Sequence, residues 1–465
     1  MIRLQKGLNF IWTDVDRPDR QFLSIVLLLS FFQGFWAIYN YGYMGQDFGT
    51  HMAYALDYFG WRNFKSPNAP MFYWIPRISM NIVGKTFFVE AMSIGFLILN
   101  TIGLAMLFWI LNQVFKIRFL KWGAFLLVVF FPVRAIHSVV YAGDAVMFLP
   151  FVAVTLLVFK LFNTTNNERQ IKYWMVISIV TSIATCLKYS FIALGPVLFL
   201  VYLIQVRCSI SRERFWTYSV RVALCLLLPA FLFVFQMVKS YQAESYTTTT
   251  HWKNPADPSK MNWNDILFLK EKDWELLDAP YYFDLKILEN HKHSYPALLH
   301  MASFSDTMHF WQEVPANVSR IPFQRTQTFD FPKIQSPLMH QLSKVSIISS
   351  IWISVLSLLG ALVIGFQSVR FLITGQDLLH PGTAFWALFS WAFYLMMVVN
   401  FPRLAEPYQW GYWLPRYVFP SLVSFILFGM VLLDRFAVRV RRPHVFGGIV
   451  LAVSIAYSVL YMVIL

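Results

Sequence analysis

Apolar residues along the chain gather into runs that approach the length of a membrane crossing. A helix that spans a bilayer needs about 20 consecutive, mostly apolar residues. Stretches of that kind lie at 22–38, 88–111, 119–133, 144–162, 172–187, 189–206, 218–238, 346–368, 384–400, 413–433 and 445–465. The pattern predicts an all-α polytopic membrane protein of about 11 transmembrane helices, divided by short polar turns. Two connections are too long to be simple turns, since ordinary links run to a few residues. The first, 39–87, follows the first span. Within it Ala53, Leu56, Phe59 and Gly60 follow helical spacing after His51, and 70–83 is rich in aromatic and aliphatic residues. Each piece is shorter than a span and is cut by Pro67, Pro70 or Pro76, so both are expected to be helices lying in the interface plane. The second, 239–344, mixes Trp252, Trp263, Trp274 and Trp311 with prolines and charges and is expected to form a small folded domain on the outer surface. The expected organisation is therefore a cytoplasmic segment at 1–21, a module of seven spans at 22–238, the large loop at 239–344 and a four-span module at 345–465. No internal repeat is visible.

Composition agrees with the pattern. The 465 residues are 57% hydrophobic and 13% charged, with a mean hydropathy of +0.53. A soluble domain carries about 25% charged residues, so a soluble enzyme is excluded. The net charge of +14 suggests nucleic acid until its distribution is read. With the N-terminus inside, the inner segments hold half of the 38 Lys and Arg residues, among them Lys116, Arg118, Arg207, Arg214, Arg439 and Arg441, but fewer than a third of the 24 Asp and Glu. Positive charge retained in short loops marks the cytoplasmic side. The excess therefore reflects topology and attraction to an anionic inner leaflet, with the C-terminus outside and no nucleic-acid partner. The polar N-terminal stretch lacks the pattern of a cleavable signal peptide. Cys186, Cys208 and Cys225 fall in spans or on the inner side, where they are inert and leave no outer disulfide. That absence favours a bacterial inner membrane.

Ionisable residues at membrane depth are costly and are functional candidates by default. A set of them stands at the outer ends of the spans: Asp47 and His51 after the first, Asp144 before the fourth, Lys188 between the fifth and sixth, and Arg403, Glu406 and Arg416 around the start of the tenth. Arg77, Lys85, Glu90, Arg134 and His137 lie at similar depth. Each has a plain structural reading as well. Asp47 and Asp144 suit helix N-caps, Lys188 and Arg416 can snorkel to headgroups, and His51 can serve as a hydrogen-bonding residue four positions from Asp47. Asp47 and His51 are the candidates for a divalent metal, but two ligands do not define a site. There is no GxGxxG, no Walker loop and no HExxH. No cofactor is required by the sequence, and an activated donor would come from the lipid phase.

In this order and sidedness the motifs resemble the GT-C superfamily of membrane glycosyltransferases, in the branch of protein O-mannosyltransferases and lipid A aminoarabinose transferases. The matching stretches are Gln46-Asp47-Phe48-Gly49-Thr50-His51, then Ala69-Pro70-Met71-Phe72-Tyr73-Trp74, Asp144 before span four, Cys186-Leu187-Lys188-Tyr189, and Arg416-Tyr417-Val418-Phe419-Pro420. The chain departs from that pattern in two places. An acidic pair is here only Asp47-Phe48, and no Lys precedes Pro70. The resemblance implies a polyprenyl-phosphate-linked sugar as donor, a protein, lipid or glycan acceptor, and an active site facing the periplasm. It implies Asp47 as base or acceptor-positioning group, assisted by Asp144. It implies His51, Tyr73, Lys188, Arg403, Glu406, Arg416 and Tyr417 as substrate-binding residues. Three other readings stand beside it: a transporter or flippase of a lipid-linked or anionic substrate, an envelope glycan polymerase or ligase, and a silent assembly subunit.

Overall fold

In the computed structural model, described for residues 15–41, 70–139, 146–210, 214–242, 268–277, 294–304, 337–375, 379–404 and 414–464, every regular element is helical. In chain order these are α1 (Arg17–Tyr41), α2 (Pro70–Val114), α3 (Arg118–Val129), α4 (Pro132–His137), α5 (Phe148–Phe162), α6 (Asn167–Leu187), α7 (Leu194–Ser209), α8 (Phe215–Gln242), α9 (Tyr295–Phe304), α10 (Pro337–Ser349), α11 (Ile351–Thr374), α12 (Pro381–Leu404), α13 (Leu414–Ala437) and α14 (Pro443–Ile464). Each of the eleven apolar runs has a helix. Seven stretches among the described residues are long and apolar enough to cross a membrane, while α5 and α7 are shorter apolar helices.

The expected span 119–133 differs in form. α3 has 12 residues, about 18 Å at 1.5 Å per residue, too short for a hydrocarbon core of about 30 Å. Pro132 is the cause. It disfavours helical backbone at the preceding residue, and Phe131 sits at φ −55, ψ 121 before the helix restarts as α4. Such a break is tolerated at membrane depth where protein surrounds it. Phe125, Val128, Phe130, Phe131 and Val133 are all buried. The lipid-facing surface lies elsewhere, on α1, α8, α11 and α14, where Phe32, Leu224, Phe366 and Ile449 are each more than half exposed.

The 70–83 segment is helical, and it runs into the second span through one break. Gly84 has φ 81 and ψ 171, a region in which glycine is favoured. A Cβ there would meet nothing within 4 Å, so backbone conformation alone sets the requirement. Gly84→Ala is expected to lower stability by about 1 kcal/mol. A melting temperature in detergent equal to wild type would show that the break relaxes at no cost.

Close helix crossings rest on small residues, as in membrane bundles generally. On α11, a Cβ at Gly360 would lie 2.2 Å from the Gly429 nitrogen of α13, and one at Gly429 would lie 2.7 Å from the Leu356 carbonyl oxygen. α12 joins this pair through hydrogen bonds. Trp391 Nε1 donates to Ala361 O at 2.9 Å, and Trp386 Nε1 donates to Ser424 Oγ at 2.9 Å. The last helix closes on an early one. Cβ atoms at Gly123 of α3 and Gly447 of α14 would approach Ser454 Oγ to 2.9 Å and Ile117 Cγ2 to 3.1 Å, respectively.

Polar ties fix the end of the bundle that carries the basic excess. Asp19 accepts from Lys121 Nζ at 2.5 Å and from Trp122 Nε1 at 2.7 Å, which locks α1 to α3. Asp434 accepts from the Lys116 and Ile117 amides at 3.0 and 2.9 Å and so caps α3 from α13. His380 Nδ1 accepts from the Gly382 amide at 3.1 Å, so Nε2 carries the proton toward Asn163 Oδ1 at 2.8 Å. Burial pulls its pKa below the usual histidine value, consistent with that neutral form.

Candidate functional site

Lys188 stands at a break between two helical segments. α6 ends at Leu187. Lys188 is extended at φ −152, ψ 129, and its amide donates to Ala184 O at 2.8 Å. A 3-10 turn at Tyr189–Ala193 follows. Pro196 then falls in the first turn of α7, where its missing amide costs little. The Lys188 side chain is buried, 8% exposed, unlike a lysine that snorkels into headgroups.

A small apolar cluster joins the segments that carry three of the candidates. Phe72, Tyr73, Phe88, Val89, Met92, Phe96 and Val146 form it, with Leu187 packed against it. Tyr73 is itself a member, Val146 lies two residues after Asp144, and Leu187 immediately precedes Lys188. The Tyr73 residue is 0% exposed, and its ring meets Phe72 edge-on at 5.3 Å.

The start of α13 comes to the same end of the bundle. Phe419 is buried and stacks on His137 at 5.8 Å and on Phe148 at 6.1 Å. These two residues bracket the segment holding Asp144. Arg416 and Tyr417 lie within one turn before Phe419, their backbone helical. The backbone of Arg403 is helical near the end of α12, which packs Phe393 against Phe191 of the turn after Lys188 at 6.0 Å. The side chains of Arg403, Arg416 and Tyr417 lie outside the described structure, as do residues Asp47, His51, Asp144 and Glu406 altogether.

The structure adds polar groups that the sequence reading placed at this depth without assigning them to the site. Arg134 is 1% exposed. Its Nη2 donates to Val129 O and, at 3.4 Å, to Ser30 Oγ, while its Nε has no hydrogen-bond partner among the described residues. Glu90 Oε2 is buried and likewise without a partner among them. Their signal was available in the sequence: a charge inside an apolar run. Part of the long loop packs here too. His300 of α9 bridges Ser354 Oγ at 2.7 Å and Ile347 O at 2.8 Å, with a pKa lowered chiefly by burial, and Phe304 packs on Phe131 at 5.5 Å and on Tyr461 at 6.2 Å. Among the described residues no group of three or more His, Cys, Asp or Glu is placed to hold a metal ion.

Residues 66–233 match the family model described as dolichyl-phosphate-mannose-protein mannosyltransferase. That span, a little over a third of the chain, includes Tyr73, Asp144 and Lys188 and supports the resemblance read from the sequence. Curated proteins give no match. Among solved structures, the apo crystal structure of ArnT from Cupriavidus metallidurans aligns at 13% identity over 93% of this chain and 78% of that one, with a TM-score of 0.33, a superposition too loose to place individual residues.

Proposed function

We propose that this multi-pass membrane protein is a glycosyltransferase that moves a sugar from a polyprenyl-phosphate donor to an acceptor on the outer face of the inner membrane. The carrying observation is the family match over 66–233, which spans the Asp144 segment, the Lys188 break and the apolar cluster that holds them together. The charge distribution supports the placement, with the N-terminus and the basic loops inside and the candidate site outside.

In this reading the donor's isoprenoid tail lies in lipid and its phosphate reaches the outer headgroup plane. A bond forms from the acceptor oxygen to the sugar C1 as the bond from C1 to the phosphate oxygen breaks. The electron pair leaves with the polyprenyl phosphate, and the acceptor proton passes to the Asp47 carboxylate. Direct displacement inverts the anomeric centre. Lys188 and Arg416 neutralise the charge that grows on the departing phosphate, Arg416 through a planar fork suited to phosphate oxygens and Lys188 as a point charge. Asp144 orients the acceptor. If the acceptor is already an anion, Asp47 positions it and takes no proton.

The test is transfer from synthetic polyprenyl-phosphate sugars by the protein reconstituted in liposomes, with the product anomer read by NMR. Passage of intact donor across the bilayer, without cleavage at C1, would replace this reading with transport. Arg416→Ala is expected to raise the donor KM about ten-fold, the scale of a charged hydrogen bond. An unchanged KM would return Arg416 to the role of a headgroup anchor.

A further inference from the structure

A recess opens between α6 and α8 at the end of the bundle opposite the candidate site. Its volume is about 480 Å3, and its lining includes Asn166, Glu168, Arg214, Thr217, Tyr218 and Arg221. We propose that this recess binds the phosphate head group of an anionic phospholipid of the inner leaflet. The inference stands apart from the transferase reading and rests on the assignment of the basic face to the cytoplasmic side.

The floor of the recess is held rigidly. The Tyr218 hydroxyl donates to Gln205 Oε1 at 2.5 Å and accepts from Trp174 Nε1 at 3.0 Å, and Trp174 Nε1 also donates to Gln205 Oε1 at 2.8 Å. Tyr218 and Gln205 are buried. The rim carries two guanidinium groups. Arg221 spends Nη1 on Glu168 Oε1 at 2.7 Å, which leaves its remaining donors for a second anion. Arg214 has no ion pair with the described residues. Amide and hydroxyl groups of Asn166, Thr165 and Thr217 suit the glycerol hydroxyls of a head group.

What lies beside the recess favours a lipid over a free anion. Trp216, 75% exposed, stands next to it at the start of α8, the position in which tryptophan marks a membrane interface. From there both helices carry apolar residues on their outer surface: Met175 and Ile179 on α6, and Leu224, Leu227 and Phe231 on α8, each at least half exposed. A phosphate in the recess can therefore continue into acyl chains along these faces. Basic pockets of this kind between spans on the cytoplasmic side are suited to anionic head groups.

Native mass spectrometry of the detergent-purified full chain, titrated with dioleoyl phosphatidylglycerol, tests this. Arg214→Gln with Arg221→Gln is expected to weaken binding about 25-fold, roughly five-fold for each charge removed. Arg439→Gln with Arg441→Gln, which removes the same charge elsewhere on that face, should leave it unchanged. Glu168→Gln frees Arg221 and should tighten binding about five-fold. Melting temperature checks the fold of each variant, and Glu168→Gln remains decisive if the double variant fails to fold. Equal weakening by the control pair, equal affinity for dioleoyl phosphatidylcholine, or no gain from Glu168→Gln would overturn the site. Displacement of the lipid by millimolar inorganic phosphate would make it a free-anion site and overturn the lipid assignment.

Discussion

Asp47→Asn is expected to leave the helices intact and to cut sugar transfer about 100-fold or more, the usual magnitude of a positioned general base. The change keeps the volume of the side chain and its capacity to accept a hydrogen bond at a helix N-terminus, so a residue that only caps would tolerate it at small cost. Loss of activity with an unchanged melting temperature separates the two roles. The pH profile adds a second separation. If Asp47 takes the acceptor proton, the acid limb of kcat/KM flattens in the variant, and if it only positions an anionic acceptor the limb stays. Near-normal turnover with a neutral hydroxyl acceptor would remove Asp47 from the mechanism.

Gly360→Ala is expected to produce the largest loss of stability, about 3 kcal/mol, at the upper end for overpacking. The added methyl would sit 2.2 Å from the Gly429 nitrogen and 2.4 Å from the Phe428 carbonyl carbon. These are backbone atoms of α13, so no side-chain rotation relieves the contact and the two helices must separate. Gly95→Ala is the matched control: its Cβ would meet nothing within 4 Å, and exchanging an interior helical glycine for alanine is favourable by helix propensity. Thermal unfolding in detergent should place Gly360→Ala well below wild type and Gly95→Ala at or above it. If both melt with wild type, the tight α11–α13 crossing is not a determinant of the fold.

The spans were legible because lipid imposes a long, one-sided apolar signal that local chemistry rarely hides. The boundaries were less so, and for identifiable reasons. At 119–133 apolar runs on both sides mask the effect of Pro132, because a buried break needs no polar residue to announce it. At 346–368 the helix is interrupted at Ser350, which holds φ −85, ψ 0. Serine is common within helices of this chain, and its tie to the Tyr461 hydroxyl at 2.8 Å lies more than a hundred residues away. In the candidate site, Lys188 stood out as a charge between two apolar runs. Arg134 and Glu90 gave the same signal and were passed over because no motif surrounded them. The role of Tyr73 was the hardest to read. An aromatic residue in a loop between two prolines can face a substrate or a core, and the packing of Phe72, Phe88 and Val146 around it is a long-range contact that no local pattern announces.

The closure of α14 on α3 sets an order of events in time. Gly123 and Ser454 are more than three hundred residues apart in sequence, and their helices meet at a glycine on each side. At a synthesis rate of 5–20 residues per second the ribosome needs roughly a quarter of a minute to a minute to travel between them. For that interval α3, too short to span alone, waits in the membrane with the surface meant for α14 uncovered. Phe304 of α9 waits as well, since its partner Tyr461 follows it by more than 150 residues. A chain halted before α14 would carry every candidate residue named above yet lack the Phe304–Tyr461 contact that packs α9 on the bundle.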